Sequence, residues 1–249
     1  MKVVITVAAF NIEDIFDAWT EDVYSLDPKP DLTIFVENNS SDKTLEKLYT
    51  FKLPFEVIRF WSIDPKTLPF NQCYEIIAQV RQLQLTRLRQ LDPDYGIFID
   101  SDILIKSPDL IASLTDWNED IVGGAYVRPY PWGEMLASIW KNPSGSFRYK
   151  RRPSAAFEEV WATSTGCLCL SRKIIQDRRL DFYPTIERSS EDYGYCIKAR
   201  KLGYKVYLDS VPILCHRIRG NWKAWSIKHA LEDGKVSKKE FERYKIGSW

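Results

Sequence analysis

The sequence lacks an excess of charge of either sign, because its 35 lysines and arginines are balanced by 34 aspartates and glutamates. A net charge of +1 gives no global reason to expect nucleic acid as a partner. It also lacks an apolar run of membrane-spanning length, and Met1 to Phe10 is short for a signal peptide. We therefore expect a cytoplasmic protein that is at most peripheral at a membrane.

Cysteine and histidine are scarce, with five and two residues respectively. The cysteines are odd in number, scattered and mostly in apolar segments, which is typical of reduced core residues rather than a disulfide framework. Cys167 and Cys169 would face one side of a strand, and without a second Cys/His pair nearby a zinc site is the weaker interpretation.

What the chain does contain is a regular alternation of β-branched runs and amphipathic segments. The pattern predicts strands at residues 2–9, 32–36, 55–60, 95–99 and 121–127, and the longest helix at residues 71–91. With 249 residues and 45% hydrophobic composition, the chain can form one large α/β domain with a mainly parallel, doubly wound sheet.

An Asp-x-Asp pair, Asp100 and Asp102, ends the predicted strand at 95–99. Ligands of open α/β sheets bind at the carboxyl ends of strands, and carboxylate oxygens suit Mg²⁺ or Mn²⁺ that shares its other positions with phosphate. The pair therefore predicts a site for a metal-bound diphosphate. Such a pair also recurs in unrelated proteins, so it needs support from the rest of the chain.

Two further acidic clusters occur at element ends. Residues 37–42 follow the second strand, and a capped turn and ligand contact explain them about equally well. Glu191 and Asp192 open a predicted helix that ends before Gly203. Helix capping alone would account for that acidic pair.

Two segments depart from the alternation. Residues 128–163 are rich in Pro, Trp, Tyr, Gly and Ser, which predicts a binding loop, a lid or a solvated insertion. Residues 217–249 predict one or two amphipathic helices that close the sheet, with peripheral membrane contact as the weaker alternative.

Taken in order, these features resemble the GT-A-fold glycosyltransferases, in particular the family-2-like inverting enzymes. The resemblance spans roughly residues 2–216. It is carried by the first strand, the cluster at 37–42, Asp100-Ser101-Asp102, Gly123-Gly124, Glu191-Asp192 and His216. It implies one domain with a mixed, mainly parallel sheet flanked by helices. Residues 1–127 would form the nucleotide-sugar half, residues 128–216 the acceptor half, and residues 217–249 a helical extension.

The resemblance also implies roles for individual residues. Asp102 would ligate Mn²⁺ or Mg²⁺, with Asp100 and His216 as further metal contacts. Asp192 would be the general base, and Glu191 would hold the acceptor or the loop. The implied contacts to a UDP- or GDP-sugar donor are Ala9, Phe10, Glu37, Asn39, Asp100, Ser101 and either Arg81 or Arg87. The implied contacts to a glycan, lipid-linked or protein acceptor are Gly123, Gly124 and Trp161.

One departure from the family pattern is that Glu37-Asn38 stands where two aspartates are usual, which leaves base and ribose recognition open. Three other functions also stay open. They are a retaining transferase of the same fold, a magnesium-dependent phosphatase or phosphotransferase, and a catalytically silent module that only binds a nucleotide sugar. A sugar-phosphate nucleotidyltransferase is disfavoured because Ala8-Ala9-Phe10-Asn11 is not a glycine-rich loop.

Overall fold

The computed structural model describes residues 1–62, 70–130, 133–141, 147–150, 153–183, 190–218 and 221–225. The helices are α1 (Phe16–Ser25), α2 (Thr44–Leu48), α3 (Phe70–Leu91), α4 (Leu110–Thr115), α5 (Arg172–Gln176) and α6 (Glu191–Lys201). The strands are β1 (Val3–Ala9), β2 (Leu32–Glu37), β3 (Phe55–Arg59), β4 (Tyr95–Ile99), β5 (Ile103–Ile105), β6 (Ile121–Gly124), β7 (Val127–Tyr130), β8 (Gly133–Leu136), β9 (Ser138–Lys141), β10 (Phe147–Arg148), β11 (Phe157–Val160), β12 (Ala162–Thr163), β13 (Cys167–Ser171), β14 (Val206–Asp209), β15 (Leu214–Ile218) and β16 (Asn221–Trp225).

The main sheet has eight strands in the order β11-β14-β6-β13-β4-β1-β2-β3. The neighbours β4, β1, β2 and β3 run parallel, and so do β14 and β6. Strand β13 is antiparallel to both β4 and β6, and β11 is antiparallel to β14. The predicted mixed, mainly parallel sheet is therefore confirmed, and strands from both ends of the described chain belong to it.

Both faces of the sheet are covered, which explains why its central strands read as continuous apolar runs. On one face, Trp19 of α1 packs against Phe35 of β2 and Phe51, with ring centroids 5.7 and 6.3 Å away. On the other face, Phe182 stacks on Tyr195 of α6 at 4.4 Å. These aromatic layers fix the helices against the sheet and thereby fix the strand ends that carry polar residues.

Two predictions from the sequence are wrong in this region of the fold. The described residues of the predicted C-terminal helix, 217–218 and 221–225, do not form a helix: they lie in β15 and β16, and the sheet order is β16-β15-β5. The segment at 128–163 is not an irregular loop, since its described residues contain the short strands β7 to β12. Residues 226–249, which carry the rest of the predicted helical extension, lie outside the described part of the chain.

The sheet brings four chain segments to one edge. Strands β1, β2, β3 and β4 run parallel, so their carboxyl ends at residues 9, 37, 59 and 99 share that edge. Strand β15 pairs with β5 next to the Asp-x-Asp loop, and the backbone N–H of Arg217 donates to the carbonyl oxygen of Asp102 at 2.9 Å. The edge is where ligands of open α/β sheets bind.

Candidate active site

A buried arginine lies at the centre of the site. Arg81 projects from α3, is 3% exposed, and donates from Nη2 to Oδ1 of Asp100. Its Nη1 donates to Oε1 of Gln84 at 3.2 Å. Burial alone would lower the pKa of Arg81, but the nearby carboxylates of Asp100, Glu191 and Asp192 outweigh it and raise that pKa. One guanidinium thus links the end of β4 to the start of α6.

The two acids that open α6 have different surroundings. Burial, and then the charge of Asp192, raise the pKa of Glu191 to about 8, so Glu191 is protonated at neutral pH. Oδ1 of Asp192 accepts hydrogen bonds from the hydroxyl of Ser190 and from the backbone N–H of Tyr193, the latter at 2.7 Å. Two donors on one oxygen hold the Asp192 carboxylate in a fixed orientation. The pair therefore contains one neutral acid and one hydrogen-bonded acceptor.

The serine before these acids contacts a side chain rather than the helix backbone. Ser190 stands at the N-cap of α6, but its hydroxyl donates to Asp192 instead of accepting a bond from the first-turn backbone. The helix start thus supports an acid side chain as well as beginning a helix.

Asp102 and His216 form the second pair of the site. Nε2 of His216 lies 3.4 Å from Oδ2 of Asp102, and Nδ1 lies 2.8 Å from the carbonyl oxygen of Val127. Because a carbonyl oxygen only accepts, we assign a hydrogen to Nδ1. Burial lowers the pKa of His216, but the hydrogen bond and charge of Asp102 outweigh it and raise that pKa above its ordinary value. His216 lies within β15 rather than after the last strand.

This pair fits a divalent ion. With hydrogen on Nδ1, the neutral imidazole presents the lone pair of Nε2 toward Asp102. Two ligand atoms at right angles around an octahedral ion at about 2.1 Å are about 3 Å apart, close to the 3.4 Å separation found here. In the described residues no three His, Cys, Asp or Glu side chains are close enough to hold a metal ion. Asp102 and His216 would thus be two protein ligands, with ligand phosphate and water completing the shell.

The polar cluster after β2 is partly used in internal contacts. Glu37 is fully buried; Oε2 lies 2.7 Å from Nε of Arg59, and Oε1 accepts from the backbone N–H of Ser40 at 2.6 Å. The hydroxyl of Ser62 donates to Oδ1 of Asn38 at 2.6 Å. Glu37 therefore anchors the end of β3 through Arg59. The guanidinium of Arg59 also lies 4.8 Å from the ring centre of Trp61, a side chain that is 70% exposed.

The loops after β1 and β2 are joined by side chain to backbone hydrogen bonds. Backbone N–H groups of Asn11 and Ile12 donate to the hydroxyls of Ser40 and Thr44 at 3.0 and 2.7 Å. In return, the N–H of Ser41 donates to Oδ1 of Asn11 at 2.8 Å. Asn11 has a φ of 49° and precedes α1 by five residues, so it joins the two loops and does not cap that helix.

The remaining donor-site candidates divide between this edge and other places. Ala9 is the last residue of β1, where it pairs with Glu37, and Phe10 follows Ala9. Asn39, two residues after Glu37, has a φ of 52°. Ser101 is buried between the two aspartates. Arg87 is separate: its guanidinium binds Oε2 of Glu56 at 2.8 and 3.0 Å. Of the two arginines proposed from the sequence, the structure brings only Arg81 to Asp100.

The acceptor candidates have structural explanations of their own. A Cβ on Gly123 would lie 2.5 Å from Oγ1 of Thr163, and one on Gly124 would lie 2.6 Å from Cδ1 of Leu214. Internal packing therefore explains both glycines without a ligand. The ring centre of Trp161 lies 4.3 Å from Nζ of Lys141 and 4.6 Å from Cζ of Arg200. Contact of these three residues with an acceptor stays a prediction.

Three residues of the site were not predicted from the sequence. Val127 contributes a backbone carbonyl, which any residue could supply, so no sequence signal marks it. Arg59 and Ser62 could have been found by extending the strand-end argument to β3, since parallel strands end at one edge.

Similarity to known proteins is found at the level of structure. No protein-family model matches the sequence, and no curated protein sequence matches it. The fold is similar to A197 from STIV (TM-score 0.54, 13% identity, 91% of this chain and 94% of that chain covered). It is also similar to residues 1–349 of S. aureus TarS (0.52, 17%, 84% and 60%). A third similar structure is the Pyrobaculum calidifontis mannosyltransferase PcManGT (0.50, 17%, 85% and 57%).

Two of these proteins have structures with ligands. TarS is known in complex with UDP and with UDP-GlcNAc, and PcManGT with GDP-Man and Mn²⁺. This chain spans only 60% of the TarS fragment and 57% of PcManGT, but 94% of A197. The agreement covers the eight-stranded mixed sheet and its flanking helices. The chain therefore has a GT-A-like glycosyltransferase fold.

Proposed function

We propose that this protein is a metal-dependent glycosyltransferase that moves a sugar from a nucleoside-diphosphate sugar to an acceptor hydroxyl with inversion at the anomeric carbon. The observation that carries the proposal is that two groups of side chains meet at the carboxyl edge of a GT-A-like sheet. Asp102 lies next to His216. Asp100, Glu191 and Asp192 lie around Arg81. A metal position and a carboxylate base are the two parts that such a transfer needs.

Asp192 is the base in this proposal. An attacking hydroxyl loses its proton as the new bond forms, so an ionised acceptor of that proton is required. Glu191, with its pKa raised to about 8, holds its own proton at neutral pH and is unsuited to that task. Asp192 accepts bonds from Ser190 and Tyr193 through Oδ1, which fixes the orientation of its carboxylate. Glu191 would contact the acceptor as a hydrogen-bond donor.

Asp102 and His216 serve the leaving group. Together they would hold Mn²⁺ or Mg²⁺, which stabilises the negative charge that a departing nucleoside diphosphate gains. Asp100 is bound to Arg81, so we assign it to orienting the Asp-x-Asp loop rather than to a full metal bond. Ser101, buried between them, keeps this loop in place.

The donor would lie across the ends of β1 and β2, against Ala9, Phe10 and Asn39. The nucleotides bound by TarS and PcManGT support a UDP- or GDP-sugar, and the Mn²⁺ of PcManGT supports a divalent ion. The structure gives Glu37 an anchoring role through Arg59, so base recognition would fall to Asn38, Asn39 and Ser62 around it. In the described residues, no helix is both long and apolar enough to cross a membrane.

The test is a panel of UDP- and GDP-sugars with and without Mn²⁺, in which binding and slow hydrolysis are measured before any acceptor is known. We expect at least one nucleotide sugar to bind only when the metal is present. Once an acceptor is found, the anomeric configuration of the product decides between inversion and retention. Absence of metal-dependent binding across the panel contradicts the proposal.

A further inference from the structure

The imidazole of His216 is held by residues that do not reach the metal position themselves. In the β5–β15 register His216 lies opposite Ile103, the residue after Asp102. Its Nδ1 is bound to the Val127 carbonyl, and the ring of Tyr126 packs edge-on against it with centroids 5.3 Å apart and a 66° interplanar angle. Adjacent residues of one segment thus contact the ring through a backbone carbonyl and through an aromatic face.

The position of Tyr126 depends in turn on a glycine. Tyr126 is 2% exposed, and a Cβ on Gly166 would lie 2.2 Å from its hydroxyl oxygen and 2.5 Å from its Cζ. Such a Cβ would also lie 2.8 Å from Cδ1 of Ile103. The Tyr126 ring therefore occupies space that only glycine leaves open. The carbonyl oxygen of Gly166 accepts the backbone N–H of Asp100 at 2.9 Å, so the same residue supports the Asp-x-Asp loop.

We propose that Tyr126 and Gly166 are positioning residues, which keep His216 in the tautomer and ring orientation that present Nε2 to a divalent ion beside Asp102. A histidine that binds a metal through one nitrogen needs its other nitrogen bound to a fixed acceptor. Rotation of the imidazole would break the Val127 bond, and the Tyr126 ring blocks that rotation. The inference rests on the proposed metal-dependent function, but its first test requires neither metal nor activity.

The two histidines of the chain make that test specific. His229→Gln leaves His216 as the single imidazole, whose hydrogen position can be read by nitrogen-15 NMR at a pH above its titration. We expect hydrogen on Nδ1 in this parent and in Tyr126→Phe, which keeps the ring. We expect a mixture of tautomers in Tyr126→Leu and in Gly166→Ala. Gly96→Ala is the matched control, because its Cβ would crowd Leu88 at 2.7 Å away from the site.

The second measurement is Mn²⁺ affinity by electron paramagnetic resonance in the presence of inorganic pyrophosphate. Loss of the groups that orient a metal-binding histidine weakens metal binding about 10- to 100-fold, so we expect that change in Tyr126→Leu and Gly166→Ala. Tyr126→Phe and Gly96→Ala should bind Mn²⁺ like the parent. Gly166→Ala keeps every side chain of the site and gives the same readout if Tyr126→Leu does not fold.

The outcomes separate the two proposals. A single Nδ1–H tautomer in both Tyr126→Leu and Gly166→Ala overturns the positioning role, because a purely structural role would lower stability alone. Failure of the parent itself to bind Mn²⁺ with pyrophosphate overturns the metal-dependent function, while the tautomer comparison still decides how His216 is held.

Discussion

Arg81 of α3 donates to Asp100 from beneath the Asp-x-Asp loop, so the first aspartate of the motif is held by a buried guanidinium. The same guanidinium lies near Glu191 and Asp192, so its positive charge also acts on the acids at the start of α6. Arg81 thus offsets the repulsion between the carboxylates of Asp100 and Asp192, which the proposed chemistry requires close together.

We predict that Arg81→Met lowers the free energy of unfolding by about 3 to 5 kcal/mol, because removal of the buried guanidinium leaves the partly buried Asp100 and the buried Asp192 without their counter-charge. Urea unfolding at neutral pH measures the change. Arg87→Met on the same helix is the matched control. Its partner Glu56 is about one third exposed, so we expect a loss of about 1 kcal/mol or less. Equal losses in the two variants would contradict the central role of Arg81.

Asp192→Asn is expected to retain nucleotide-sugar affinity and to reduce transfer by about 10²- to 10⁴-fold, since the amide cannot accept the hydroxyl proton. Isothermal calorimetry with the donor and product analysis with an acceptor measure the two quantities separately. Glu191→Gln is the comparison, because it keeps the hydrogen-bond donor that a protonated Glu191 provides. Transfer at the wild-type rate in Asp192→Asn would remove this residue as the base.

Asp102→Ala and His216→Ala should each abolish Mn²⁺-dependent donor binding while leaving the fold intact. The reason is that the pair supplies two ligand atoms 3.4 Å apart, and neither alone makes a chelating site. Titration of the donor with and without Mn²⁺, alongside circular dichroism, checks both statements. Donor affinity that depends on Mn²⁺ as strongly as in the wild type would place the metal elsewhere.

The raised pKa of Glu191 predicts a stability that falls with rising pH. The folded state keeps a proton on Glu191 up to about pH 8, whereas the unfolded chain releases it near pH 4.5. Folding therefore takes up a proton between these values, and the free energy of unfolding decreases by up to about 1.4 kcal/mol per pH unit within this range. Glu191→Gln should remove this part of the slope.

The measurement is urea unfolding of wild type and Glu191→Gln in EDTA, from about pH 6 to about pH 8. The lower end of this range coincides with the pKa of about 6 to which burial raises Asp209, and that group titrates in both proteins. Asp102 also raises the pKa of His216 above its ordinary value in both proteins, so the difference between the two proteins, rather than either slope, carries the prediction. Parallel curves for the two proteins would show that Glu191 is ionised in the folded state.

Much of the sheet could be predicted from the sequence because its strands are buried on both faces and its helices have strong periodicity. The helix predicted at 71–91 is found at Phe70–Leu91, and the Asp-x-Asp pair follows β4 as expected. Cys167 and Cys169 face the same core cluster, as their alternation predicts. Local sequence patterns were enough to predict a strand or helix wherever that element packs against a broad apolar surface.

The antiparallel additions could not be predicted in the same way. Strands β15 and β16 have five residues each, and the pairing of β15 with β5 joins segments more than a hundred residues apart. Spaced apolar residues in so short a segment fit a helix as well as a strand. The burial of Glu37 against Arg59 could not be predicted from the sequence either, because a charged residue at a strand end is most often exposed.

The pairing of β15 with β5 also determines when the site can exist. The motif at Asp100 and Asp102 leaves the ribosome well before His216, and the N–H that binds the carbonyl of Asp102 belongs to Arg217. A nascent chain can therefore form the strands up to β14 and still lack His216, the second metal ligand in the proposed function. In that proposal, the site is complete only once β15 has been made and pairs with β5 beside the loop.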